Sequence, residues 1–215
     1  MIQYLLLDLD NTLYPRSSGL GRYMGRRMGE FVMGHLDVTL ERASALRKAG
    51  LARYGTTMRW LTVEHGLTEI ERFIEFVHPA NLDDFLTDEN RTTAQRALDG
   101  VNLPASILTN APREHADRVL NWLGLDSRFE HVFDIRFNRM KGKPHRAAYE
   151  VALEKTGAKP DETLFADDVL EYLLPFRDIG GHVVQVGTEP TNEPGVGSMR
   201  SIADLADVVS RGRRG

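Results

Sequence analysis

MIQYLLLDLDNTLY, residues 1–14, is the stretch whose reading decides the fold. Residues 4–7 form an unbroken apolar run, long enough for a buried parallel strand and far too short for a membrane span. The run ends in Asp8 and Asp10, followed by Thr12. Carboxylates at the end of a buried strand are costly unless a cation meets them, so the remaining residues must supply that charge.

Working outward, four more short apolar runs occupy 105–108, 131–135, 163–166 and 182–186. The first of these ends in Thr109 and Asn110, and the third in Asp167 and Asp168. Between the runs lie helical patterns. Ala116, Val119, Leu120 and Leu123 recur at helix spacing over 113–123, and Ala148, Val151 and Ala152 do so over 145–156. Gly124 and Gly157 follow as C-cap residues. Strand and helix therefore alternate, as in an α/β fold with a doubly wound parallel sheet joined by right-handed crossovers. Ligands bind outside the carboxyl ends of such strands, where these polar residues collect.

Residues 16–90 break the alternation. Leu20, Met24, Met28, Phe31 and Val32 mark one helix, and further helical patterns cover 40–49, 58–64 and 70–77 before His78-Pro79 stops them. An all-helical insertion after the first strand sits above that strand's end. It is expected to be a cap that excludes water and selects substrate, over a core of 1–15 and 91–215. Gly21, Gly25 and Gly29 are interrupted by Arg22, Arg26, Arg27 and Glu30, which argues against a membrane dimer face and for close helix packing. Residues 188–198, TEPTNEPGVGS, read as a loop.

The 215 residues are 41% hydrophobic, enough for a real core, and the net charge of −4 is spread over mixed signs. No basic footprint for nucleic acid or an anionic membrane surface appears, and the cluster RGRRG at 211–215 reads as a frayed terminus. Zero cysteines exclude disulfides, thiol catalysis and thiolate metal sites. No charged leader precedes the first apolar run, so the expected compartment is the cytoplasm.

Asp8 and Asp10 lie two apart, so in an extended segment both side chains project the same way. A DxDxT match alone also fits calcium loops or solvated turns. With Asp167 and Asp168 at another strand end, four carboxylates converge, and an oxygen-rich set without cysteine suits Mg²⁺. Lys143, just before Pro144, is the protein's own counter-charge, whereas Lys141 reads as a surface residue. Thr109 and Asn110 have hydrogen-bond donors for phosphate oxygens.

The set DLDNT at 8–12, LTN at 108–110, KP at 143–144 and FADD at 165–168 resembles the four motifs of the haloacid dehalogenase-like hydrolase superfamily, in order and spacing. The resemblance implies a Rossmann-like three-layer core with a helical cap, and Mg²⁺-dependent phosphotransfer through an aspartyl phosphate. Asp8 would be the nucleophile and Asp10 the general acid and then base. Asp8, the Asp10 main-chain carbonyl and Asp168 would hold the metal, while Thr109, Asn110 and Lys143 hold phosphate, with Thr12 and Asp167 in support. DLDNTLYP at 8–15, YGTTMRWLTVEHG at 54–66 and FVH at 76–78 look like the pyrimidine 5′-nucleotidase branch, which implies UMP or CMP as substrate and brings Tyr54 and Arg59 over the site. Tyr54, Met58, Trp60 and Leu61 also read as cap core. Another small phosphomonoester, such as a sugar phosphate or phosphoglycolate, and a non-catalytic phosphate-binding module are the competing readings. One departure stands out: Tyr172 occupies the position, four after Asp168, where the superfamily usually carries Asp or Asn, with Glu171 beside it.

Overall fold

The computed structural model describes residues 1–212; 213–215, the last part of the RGRRG cluster, lie outside the described residues. Strand β1 (Tyr4–Leu7) leads into four helices: α1 (Leu20–Leu36), α2 (Leu40–Tyr54), α3 (Thr57–Glu64) and α4 (Ile70–Val77). The chain continues through α5 (Asp88–Asp99), β2 (Ala105–Leu108), α6 (Arg113–Leu123), β3 (Val132–Phe133), α7 (Arg146–Thr156) and β4 (Thr163–Asp167). It ends with α8 (Leu170–Asp178), β5 (His182–Val186), β6 (Gly197–Met199) and α9 (Leu205–Gly212). All six strands are parallel, in the order β3-β2-β1-β4-β5-β6.

β1 is central, pairing Leu5 with Ala105 on one side and Leu7 with Ala166 on the other. Its side chains alternate between two buried faces. Leu5 and Leu7 join one core with Ala94, Ala97, Leu98, Val119, Leu120, Leu205 and Val209. Leu6 joins the opposite core with Leu108, Phe133, Tyr149, Phe165 and Phe176. Burial on both faces is why the strand reads as a continuous apolar run. The order of the strands puts a switch point at β1, since the chain winds outward through β2 and β3 on one side and β4 to β6 on the other.

Helix ends follow local chemistry. Thr39, Thr56 and Thr87 cap α2, α3 and α5 through their side-chain oxygens, and Thr87 forms a reciprocal capping box with Asn90. Gly124 and Gly157 close α6 and α7 at φ 68° and 69°, as the spacing predicts. The strand expected at 131–135 is only Val132–Phe133, and the loop expected at 188–198 ends in the edge strand β6. Helices α5, α8 and α9 follow no pattern singled out above, and the expected boundary between 90 and 91 falls inside α5. α5 packs mainly on α6 and α9.

In the helical insertion α1 packs on α2 and α4, and α2 on α3. The glycine run of α1 is only partly a packing device. A Cβ on Gly21 would lie 3.1 Å from Asn11 Oδ1, whereas one on Gly25 would meet nothing within 4 Å. Gly21 thus lets α1 approach the loop after β1. Side-chain contacts tie the insertion to the rest, among them Arg136 Nη2 donating to both oxygens of Glu71 at 2.7 and 2.8 Å, and Arg59 Nη1 meeting His145 Nε2 at 2.9 Å. Among the described residues no helix is long and apolar enough to cross a membrane.

Candidate active site

At the carboxyl end of β1 the chain turns sharply, with Asn11 in the left-handed region at φ 60°. Asp8 and Asp10 leave this turn toward different partners. Asp8 Oδ1 accepts from Lys143 Nζ at 2.6 Å, and Asp8 Oδ2 accepts from Thr12 Oγ1 at 3.4 Å. Asp10 Oδ1 accepts from the Tyr14 hydroxyl at 2.5 Å and from His115 Nε2 at 2.8 Å.

Lys143 is 1% exposed and bridges two carboxylates, Asp8 and Asp167, each at 2.6 Å. Its ammonium loses hydration there, but the two carboxylates more than compensate and raise its pKa, so it stays charged. One cation for two buried acids leaves a negative excess. Burial lifts both Asp8 and Asp167 despite Lys143, with repulsion from Asp10 adding to the rise of Asp8 and repulsion from Asp8 to that of Asp167. Asp167 has no accessible surface, and its other oxygen accepts from Val169 N at 2.8 Å. Asp168 is pushed up to about 6 by burial and by Asp8, and its Oδ2 accepts from Asn11 Nδ2 at 3.1 Å. Burial also works against the charge of Asp10, but His115, with its hydrogen bond and that of Tyr14, carries the carboxyl below its ordinary value.

These groups open into one cavity of about 680 Å³ between the strand ends and the helical insertion. Asp8, Asp10, Thr109, Asn110, Lys143 and Asp168 line its floor, while Met24, Met28, Leu51, Met58, Phe73 and Ile74 make an apolar wall. Thr12 and Asp167 sit behind the floor, against Asp8 and Lys143. Thr109 Oγ1 accepts from Ala111 N at 3.0 Å, which leaves its hydroxyl hydrogen available, and Asn110 Nδ2 donates to the Lys143 carbonyl at 2.8 Å. A Cβ on Gly142 would fall 2.0 Å from Asn110 Oδ1, so only glycine leaves room for this side chain. Lys141 is exposed, as its surface reading requires.

Oxygens of Asp8, Asp167 and Asp168 lie within 4.8 Å of one another. Hard oxygen donors, excess negative charge and a raised Asp168 are the chemistry of a divalent-cation site, so these residues fit Mg²⁺. Both Asp167 oxygens are engaged by Lys143 and Val169, and both Asp8 oxygens by Lys143 and, at the longer 3.4 Å, Thr12, whereas Asp168 bonds Asn11 through Oδ2 alone. Tyr172 lines the cavity with Lys143 Nζ 5.4 Å from its ring centroid. At the departed motif position an aromatic face therefore meets the cation.

The two cap residues singled out by sequence do not line this cavity. Tyr54 donates its hydroxyl to Glu64 Oε1 at 2.8 Å, and Arg59 is engaged with His145. Met58, Trp60 and Leu61 are buried in the core of the insertion, and of these only Met58 also reaches the cavity. The cavity instead holds Arg47, His78 and Gln185, which sequence reasoning missed. Arg47 donates to Thr57 Oγ1 at 2.9 Å and contacts Met28 Sδ at 3.2 Å, and among the described residues no carboxylate pairs with it. Burial lowers its pKa. His115 was also missed: it lies on the apolar face of α6, 105 positions from Asp10, and only tertiary packing joins them. Tyr14, four residues after Asp10, was the one supporting group with a local signal.

The family model described as haloacid dehalogenase-like hydrolase matches residues 2–180. Among solved structures the chain resembles the L-2-haloacid dehalogenase of Xanthobacter autotrophicus at 19% identity and TM-score 0.60, covering 98% of this chain and 99% of that one. A HAD phosphatase from Thermococcus onnurineus aligns at 14% identity and TM-score 0.63, covering 97% and 98%. A beta-phosphoglucomutase from Clostridium difficile aligns at 16% identity and TM-score 0.62, covering 100% and 98%. At these identities the likeness to solved structures shows the fold alone.

Proposed function

The chain belongs to the haloacid dehalogenase-like hydrolases, and from that premise we propose that it hydrolyses phosphomonoesters through an aspartyl phosphate on Asp8. One observation carries the reading. Asp8 stands at the cavity floor beside a buried lysine, and two residues on is a second carboxylate with one oxygen committed to other groups and the other open. A halide needs no proton to depart, whereas an alkoxide does, so the second acid supports phosphate esters over carbon–halogen bonds.

Asp8 attacks phosphorus as the ester bond breaks, and Asp10 gives its proton to the departing oxygen. Asp10 then takes a proton from water, whose oxygen bonds to phosphorus and releases the Asp8 carboxylate. The depressed Asp10 suits this second half. For the first half, a phosphate dianion placed beside Asp10 raises its proton affinity. Lys143 keeps Asp8 oriented and offsets charge on the phosphoryl oxygens, to which Thr109 donates. Asp8, the Asp10 carbonyl and Asp168 would hold Mg²⁺, which when bound supplies further charge stabilisation on the phosphoryl group.

For the substrate we take pyrimidine nucleoside 5′-monophosphates, UMP and CMP, on the resemblance over 8–15, 54–66 and 76–78. The helical insertion, as the cap, supplies an apolar wall suited to a base face. Arg47 favours a second reading, a small phosphomonoester with another anionic group, such as phosphoglycolate, because an unpaired guanidinium is best matched by an anion. The test is Mg²⁺-dependent phosphate release from a panel of phosphorylated metabolites, with Asp8→Asn and EDTA as controls. Asp8→Asn and chelation are expected to abolish release; an Asp8→Asn protein as active as the parent would remove the nucleophile. Preference for phosphoglycolate or sugar phosphates over UMP and CMP would replace the substrate.

A further inference from the structure

The support of Asp10 reaches further than its own loop. Tyr14 and His115 are buried, and both donate to the same oxygen, Oδ1. Two donors occupy both lone pairs of that oxygen, so Oδ2 is the only place where a proton can sit. The Asp10 side chain keeps 22% of its surface and lines the cavity, and Oδ2 is the oxygen with no protein partner among the described residues. His115 in turn is covered by His78, the residue that ends α4, with ring centroids 4.7 Å apart. The His78 ring is oriented by its own Nδ1, 2.9 Å from the Ile74 carbonyl. β1, α6 and α4 thus meet in a stack Asp10–His115–His78.

We propose that His115 is a positioning residue that, with Tyr14, presents Asp10 Oδ2 as the single proton-carrying oxygen, and that His78 makes this presentation depend on the seating of the cap helix α4. The inference rests on the reading of Asp10 as acid and base. The oxygen so presented gives its proton to the ester oxygen while the bond from that oxygen to phosphorus breaks and the Asp8–phosphorus bond forms. It later receives a proton from water as the water oxygen bonds to phosphorus and Asp8 leaves. With α4 unseated, His115 loses the ring that covers it and Asp10 is held firmly by Tyr14 alone, so proton transfer is coupled to a closed cap.

The experiment compares His115→Gln with His115→Asn in the full chain with Mg²⁺. Glutamine places an amide N–H where Nε2 stood, whereas asparagine is one methylene short of Asp10. His115→Asn is expected to lower kcat for the best alkyl phosphomonoester about 10²-fold with little change in KM, the cost of a misplaced proton donor, and His115→Gln to recover most of it. With p-nitrophenyl phosphate, whose leaving group needs no proton, His115→Asn should still release one burst equivalent of nitrophenolate. Phosphoenzyme should then accumulate, because the base for the second step is misplaced. His78→Leu is expected to move the same readouts in the same direction by a smaller factor. Equal activity of the Gln and Asn variants, or a loss in both that is the same for alkyl and aryl esters and shows no burst, would overturn the proposal. Activity surviving in Asp8→Asn would instead overturn the underlying reading of the site, whatever the His115 variants did.

Discussion

Replacing Lys143 by methionine removes the only charge that, among the described residues, opposes Asp8 and Asp167 from within hydrogen-bonding distance, and keeps most of the side-chain volume. The lysine is 1% exposed, Asp167 0% and Asp8 6%, so solvent screens none of the three effectively. At an effective dielectric of about 20, opposite charges 2.6 Å apart attract by about 6 kcal/mol, and two carboxylates within 4.8 Å of each other repel by at least about 3 kcal/mol. No longer burying an ammonium returns much of the lost attraction, which leaves the roughly 3–5 kcal/mol found when one partner of a buried pair is deleted. Urea unfolding of the metal-free protein at pH 7.5 is expected to show that loss. The deficit should shrink as pH falls, because protonated carboxyls need no cation: the folded-state pKa of both acids is raised, so the folded form binds more protons and gains stability toward acid. Adding Asp8→Asn to Lys143→Met should recover part of the stability by removing one member of the repelling pair. An unchanged unfolding midpoint at pH 7.5, or a deficit that widens as pH falls, would refute the electrostatic account.

Arg47→Met is expected to lower kcat/KM for UMP about 10- to 100-fold, the value of a hydrogen bond from a charged donor, while ribose 5-phosphate, which lacks the base, changes little. A loss confined to phosphoglycolate would favour the second substrate reading, and equal losses on all three would show that Arg47 does not touch the leaving group. His78 supplies a pH dependence of stability: burial, and then His115, push its folded pKa down from 6.5 to about 4, with Asp10 and Arg118 as the other charged neighbours. The unfolded chain therefore binds more protons between these values, and folding should lose about 3 kcal/mol as pH drops through the window, at about 1.4 kcal/mol per pKa unit. His78→Asn should flatten that segment of a urea-derived stability profile; an unaltered slope would mean that His78 is not its source.

Much of the site was legible because parallel strands buried on both faces must be apolar to their ends. Asp8, Thr109, Asn110, Asp167 and Asp168 interrupt three such runs, and one sheet brings the three strand ends side by side. Lys143 was legible as the missing counter-charge, and the structure puts it between Asp8 and Asp167. The insertion was legible as helices from its periodicity, but not in what it shows the cavity. Helix spacing gives a buried stripe without saying what lies opposite, so Tyr54 and Arg59 satisfy Glu64 and His145 while Arg47 faces the cavity.

What MIQYLLLDLDNTLY determined by itself is a strand that must be buried and a pair of acids at its end that must be compensated. Local periodicity and the cost of burying charge require that much. Tertiary structure decided which groups surround each acid, with Asp8 turned to Lys143 and Asp10 to Tyr14 and His115. Only packing can give two carboxylates two residues apart such different neighbours, because Lys143 and His115 lie more than 100 positions further along the chain, while Tyr14 alone is local to Asp10.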